Sequence, residues 1–269
     1  MADQTRINFM SELPDRTRRP PAGAQAPARG SRAGWAMIAV FVVASVVLLL
    51  VAALVLAPFA FTDPDVLDGP LPTLPLLALL IVPLSVAALT AIAGTALVGT
   101  GPRAGRTRRE LSLRWDPKAV KKGIALGLGG LLLALPAAAL WTAWNGDERT
   151  SSAVGEEFTD RLLSPGTALV AFAALWLLAP LAEEVLFRGV LWRALEHWRW
   201  NRWLIFTATT ALFAVAHLEL LRTPLLLLLS TPIGLARVFT GNLLACVVAH
   251  QVNNFLPATA LLLTTTGVW

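Results

Sequence analysis

The stretch LAPLAEEVLFRGVLW, residues 178–192, sets two adjacent carboxylates and an arginine inside a long apolar run. What surrounds it decides the fold. Apolar segments recur at about residues 35–60, 73–99, 121–144, 166–192, 203–219, 223–238 and 239–256, with a short eighth at 257–269. Several reach the roughly 20 residues that a helix needs to cross a bilayer. Of 269 residues, 56% are hydrophobic and 14% charged, against about a quarter charged in soluble domains. The expectation is an all-α, polytopic membrane bundle of seven to eight transmembrane helices.

Residues 1–34 are polar and rich in Pro, Ala and Arg. They read as a disordered basic cytoplasmic tail, because too little apolar surface is present to build a core. Residues 35–269 form the transmembrane domain, with the apolar run from Trp35 read as a retained anchor. The tail holds six arginines and residues 101–122 hold eight Lys or Arg, whereas residues 62–73 hold none. By the positive-inside rule the N-terminus is cytoplasmic, the loop at 101–120 shares its side, and the chain is a multi-pass plasma-membrane protein. Trp192, Trp198, Trp200 and Trp203 flank the next cytoplasmic turn, as an interfacial aromatic belt would. The net charge of +5 is explained by these loops and by anionic lipid, so no nucleic-acid partner is expected. The single cysteine, Cys246, excludes an intramolecular disulfide framework and reads as a buried, inert thiol.

Ionisable residues inside a membrane cost a few kcal/mol each, so they call for partners and a task. Glu184 and Arg188, four apart with the acid first, suit a salt bridge along one helical face. That leaves Glu183 without a structural purpose. Phe213 and His217 are also four apart, as are His250 and Asn254. Glu183 lies 17 residues before Trp200 and His217 lies 17 after it, which sets the two at matched depth in an antiparallel helix pair. A carboxylate and an imidazole so placed can hold and deprotonate a water. A second histidine with an asparagine can donate hydrogen bonds to the oxyanion formed when that water attacks a carbonyl. The chain has no HExxH and no GxSxG, so zincin and serine-hydrolase patterns do not compete.

In order, and each within an apolar helix, EEVLFR (183–188), FAVAH (213–217) and HQVNN (250–254) resemble the motifs of the CPBP family of intramembrane proteases. That family includes the CAAX-processing prenyl endopeptidases and bacterial Abi-type proteins. The resemblance runs from about Pro180 to Phe255. It implies Glu183 as general base, His217 as a second holder of the water, and Glu184 with Arg188 as the pair completing the site. It also implies His250 and Asn254 as oxyanion donors, with Phe213 packed under His217. The family has been described both as metal-dependent and as glutamic peptidases, so zinc and no cofactor both stand as expectations. The implied partners are the lipid bilayer and a peptide or protein substrate, prenylated or bacteriocin-like.

Two other readings compete. A non-catalytic immunity or scaffold protein of the same fold would bind a partner peptide. A proton-coupled transporter would also use buried Glu and His, but lacks support here from repeats or from polar residues in the first three apolar segments.

Overall fold

The computed structural model describes residues 29–63, 69–146 and 152–268, with side chains from Arg32 onward. Among the described residues all regular structure is helical, without strands. Four long helices open and cross the bundle: α1 (Arg29–Thr62), α2 (Thr73–Val98), α4 (Pro117–Asn145) and α6 (Pro165–His197). The short α3 (Arg106–Glu110) and α5 (Ala153–Phe158) sit in the loops between them. Helices α7 (Arg202–Ala216), α8 (Thr223–Thr240) and α9 (Leu243–Thr265) complete the chain.

Six of these are long and apolar enough to span a membrane, and α7 is shorter. Residues 257–265, expected as an eighth segment, instead continue α9 through Pro257. The expected tail lies outside the described residues as far as residue 28, and residues 29–34 are helical as the start of α1. Trp192, expected in the interfacial belt, is 2% exposed, and its indole N–H donates to Glu196 Oε1 at 2.8 Å. Trp200 and Trp203 remain exposed.

The helix starts are written locally. Asp116 accepts from Lys118 N before Pro117, Ser164 accepts from Thr167 N before Pro165, and Asn201 accepts from Trp203 N and Leu204 N. Each satisfies amide donors that the first helical turn leaves unpaired. Association within lipid depends on close packing of small residues rather than on water exclusion. Ala44, Ala87 and Ala91 are fully buried in the core cluster that α1 and α2 build with α6. Gly123 and Gly127 of α4 let its backbone meet that of α9. A Cβ there would stand 2.6 Å from Ala245 O and 2.7 Å from Ala249 O respectively. This contact sets the position of α9 one residue before His250.

The loops sort into two faces. On one, Leu243 N donates to Ser112 O, Asn242 caps α9 while bonding Arg114, and Arg193 reaches Glu110. On the other, Leu71 N donates to Glu157 Oε2, Ala153 N donates to Glu219 Oε1, and Leu163 N donates to Thr265 O. The first carries the basic loop at 101–122 and is called the basic face.

Candidate active site

Helix α6 is not a regular α-helix. It widens into π-helical turns at Ala174–Leu178 and Val185–Leu191, on either side of the segment Ala179–Glu184. Pro180 has no amide hydrogen and cannot close a regular turn behind itself, so the wider turn just before it absorbs the mismatch. Such π-turns are uncommon and concentrate at functional sites. The first docks α9: Trp176 Nε1 donates to Gln251 O at 3.0 Å and Asn254 Nδ2 to Leu175 O at 3.4 Å. The second begins immediately after Glu184 and contains Arg188.

Between the two, Glu184 Oε1 receives Arg188 Nη1 at 3.1 Å and His250 Nδ1 at 2.9 Å. Glu184 and Arg188 side chains are fully buried, and His250 is nearly so. Because a buried guanidinium stands beside it, Glu184 acts as the acceptor, and Nδ1 of His250 is the donor. The opposite ring nitrogen, Nε2, then faces Glu183 Oε2 at 3.7 Å. Glu183 is the more accessible of the two carboxylates, its side chain 20% exposed. Adjacent in sequence, the two acids therefore differ in role. One orients the imidazole from behind and the other meets its free edge.

Phe213 ties the remaining residues in. Arg188 Cζ lies 4.4 Å above its ring, within cation–π range. The same ring touches His217 at 4.7 Å and His250 at 5.7 Å, centroid to centroid, and stacks edge-on with Phe187 at 5.3 Å. His217 terminates α7, and its Nδ1 bonds the carbonyl oxygen of Phe213 at 2.9 Å. A carbonyl only accepts, so Nδ1 carries a hydrogen, and in the neutral imidazole Nε2 is the acceptor.

The structure thus brings Glu183, Glu184, Arg188 and His250 into direct register. His217 joins them through the Phe213 ring, and Asn254 sits one turn beyond His250, bonded to α6. Among the described residues no hydrogen bond or ion pair joins Glu183 to His217, the pair expected to share a water; the partner facing Glu183 is His250. Nor do three His, Cys, Asp or Glu side chains group to hold a metal ion among the described residues. Cys246 is buried, as expected.

Several buried polar atoms here have no hydrogen-bond partner among the described residues: Glu184 Oε2, Arg188 Nε and Nη2, and Asn253 Oδ1. Polar atoms that the protein itself leaves unpaired are ones that water or a ligand can meet.

A second charged cluster was not foreseen. Glu110, at the end of α3, accepts from Thr100 N and Oγ1 on one oxygen and from Arg193 Nε at 2.5 Å on the other, with His197 Nε2 at 3.3 Å. The sequence signal was slight, a single acid in an arginine-rich loop. Burial by itself would push this carboxyl upward. Hydrogen bonds from His197, Thr100 and Arg193 outweigh it and hold the carboxyl well below the usual glutamate range.

Residues 165–256, a span that contains all six candidate residues and both π-turns, match the family model described as type II CAAX prenyl endopeptidase Rce1-like. Over this segment, about a third of the chain, the protein is similar to the Rce1-like members of the CPBP family. An Escherichia coli protein described as an uncharacterized 24.3 kDa protein is 33% identical over 87 residues, which cover 31% of this chain and 40% of that protein. No solved structure matches the chain.

Proposed function

We propose that the protein is an intramembrane endopeptidase, CAAX-protease-like, which hydrolyses a peptide bond in a membrane-associated or lipid-modified peptide using a water activated by Glu183. The observation that carries the proposal is the orientation of His250. Its Nδ1 is committed to Glu184, so that its Nε2 stands 3.7 Å from Glu183.

The chemistry then follows. Glu183 removes a proton from a water, whose oxygen attacks the carbonyl carbon. The carbonyl electron pair moves to oxygen, and that oxyanion is stabilised by Asn254 and by His250, which donates from Nε2 in its doubly protonated form while Nδ1 stays bonded to Glu184. As the carbon–nitrogen bond breaks, its electron pair stays on nitrogen, which takes the proton back from Glu183. Glu184 and Arg188 orient His250 and keep countercharge behind it. His217, with a lone pair on Nε2, is the second acceptor for the water. The Rce1-like match over 165–256 supports this reading at the level of the family.

The competing scaffold reading needs no base. Full-length protein in proteoliposomes, given a library of lipid-embedded peptides, should release new termini with time, and the Glu183→Gln protein should not. Saturable peptide binding without cleavage would favour the scaffold. The zinc question has its own outcome: chelation should leave cleavage unchanged, because Glu183 and the two histidines supply the proposed chemistry.

The proposal also sets the basic face in the cytoplasm. Single cysteines at Arg103 and Thr159, both exposed and on opposite faces, should react with impermeant maleimide from opposite sides of sealed vesicles, Arg103→Cys from inside. Labelling from one side would overturn this topology.

A further inference from the structure

Three features could carry a further role: the buried Arg237 beneath Trp192, the cleft between Lys122 and Phe239, and the arginine-lined cleft in the loop between α2 and α4. The last is the most completely built. It is an open cleft of about 440 Å³, lined by Gly105, Arg108, Arg109, Ser112, Leu113 and Arg114.

Not all the arginines of this loop are equivalent. Arg106 is spent on the carbonyls of Ala96, Leu97 and Gly101, and Arg109 on those of Pro102 and Ala104. These bonds hold the loop around Gly105, whose φ of +65° suits a glycine. Arg108 and Arg114 are exposed. Among the described residues, neither side chain has a hydrogen-bond or ion-pair partner. Three arginines thus border one concavity, two of them with side-chain donors uncommitted among the described residues.

The walls are rigid. Ser112 adopts a φ of +52°, held by Ser112 N donating to Arg109 O, Leu113 N to Arg108 O, and Leu243 N to Ser112 O. Asn242, the cap of α9, exchanges two hydrogen bonds with the Arg114 backbone. Beneath, Leu111 is 2% exposed and packs toward Gly189. A charged concavity fixed on both sides costs little ordering when an anion enters.

The surroundings identify which anion. The cleft lies where α2 ends and α4 begins, both membrane-spanning candidates. Trp115, directly after the cleft, is 77% exposed, and Trp35, Trp200 and Trp203 are exposed on the same face. Exposed tryptophans at helix ends mark the headgroup layer. We propose that this cleft binds the phosphate of an anionic phospholipid from the leaflet on the basic face, with Arg108 and Arg114 as the phosphate ligands and Arg109 adding field. Guanidinium forks suit phosphodiester oxygens, and each cation near the surface adds about 1 kcal/mol of attraction to anionic lipid. A bound lipid would also brace the Asn242 cap of the helix that carries His250.

The test uses the full chain in mixed micelles of equal phosphatidylglycerol and phosphatidylcholine, with retained lipid counted by native mass spectrometry. Phosphatidylglycerol should exceed phosphatidylcholine by about fivefold or more. R108A/R114A should bring that ratio close to one, while the control R103A/R202A, also on exposed arginines of the same face, should keep it. An unchanged ratio in R108A/R114A, or an equal loss in the control, would overturn the cleft as a site. Retention abolished by millimolar inorganic phosphate would overturn the lipid assignment in favour of a free anion. Because the readout is bound lipid, none of these outcomes depends on the proteolytic reading.

Discussion

Two clusters in this molecule are made of the same three residue types, and they are built to opposite standards. Glu110, Arg193 and His197 tie a loop to the end of α6 at the basic face; Glu184, Arg188 and His250 lie inside the bundle. In the first, both carboxylate oxygens are partnered, and Arg193 also reaches Glu196. In the second, one oxygen of Glu184 takes the bonds of both Arg188 and His250 while Oε2, Arg188 Nε and Arg188 Nη2 have no partner among the described residues. A half-satisfied buried network is costlier than an apolar core. The outer cluster is closed by protein groups, whereas the inner one keeps polar atoms that water or a substrate can meet.

The strongest way to break this contrast is through Glu183, which belongs only to the inner cluster. Glu183→Gln keeps shape and removes the base, so cleavage should fall by about 10²–10⁴-fold with the melting temperature unchanged. His217→Ala should approach that loss, and the double variant should be little worse than either single one, since residues acting as a unit are non-additive. Substantial turnover by Glu183→Gln would remove the functional half of the comparison.

Removing one cation from each cluster comes next. Arg188→Ala leaves Glu184 buried against a single partner and should cost about 3–5 kcal/mol, seen as a large fall in melting temperature in detergent together with lost cleavage. Arg193→Ala leaves Glu110 with Thr100 and His197 still bonded, and should cost about 1 kcal/mol with cleavage retained. Equal losses would mean that the two clusters do the same work.

Much of the inner site was legible in sequence because its signal is contrast: charge within an apolar run is conspicuous at any position. The i,i+4 spacing of Glu184 and Arg188 gave their pairing directly. Spacing said less across helices. Equal counts of 17 residues from Trp200 set Glu183 and His217 at matched depth, but no count could show that His250 Nε2 stands 3.7 Å from Glu183. Residue counting assumes a uniform rise, and the π-turn at Val185–Leu191, between Glu183 and Trp200, is announced by no periodicity. The outer cluster stayed hidden for the converse reason. Glu110 sits among arginines in a polar loop, where charge carries no contrast. Trp192 was misplaced in the interface because composition at a helix end does not say which face is covered.

The helix contact that positions His250 gives a third, intermediate test. At Gly127 a Cβ would press on Ala249 O at 2.7 Å and on the Val252 side chain, so Gly127→Ala must move α4 from α9. Overpacking of this kind costs about 1–3 kcal/mol, and cleavage should fall as His250 shifts from Glu184. Gly129, two residues away on the same helix, has open space around its Cβ position. There alanine should be neutral or slightly stabilising. If both variants behave alike, close approach of α4 is not what holds the site.

The smallest effect separates the clusters by pH. Folding holds the Glu110 carboxyl below the ordinary glutamate value of 4.5, through bonds from His197, Thr100 and Arg193 that outweigh burial. A carboxyl with a lowered folded pKa binds fewer protons folded than unfolded. Its contribution is therefore complete above about pH 4.5 and drains away as pH falls from there toward the folded value. Glu110→Gln should cost about 1 kcal/mol at pH 7. It should also flatten the acid limb of the stability curve, so that variant and wild type converge as pH drops below 4.5. Melting temperatures at pH 7, 5 and 4 in one detergent check this. A gap between the two proteins that widens on acidification would mean that Glu110 is held as the neutral acid. The outer cluster would then share the unsatisfied character of the inner one.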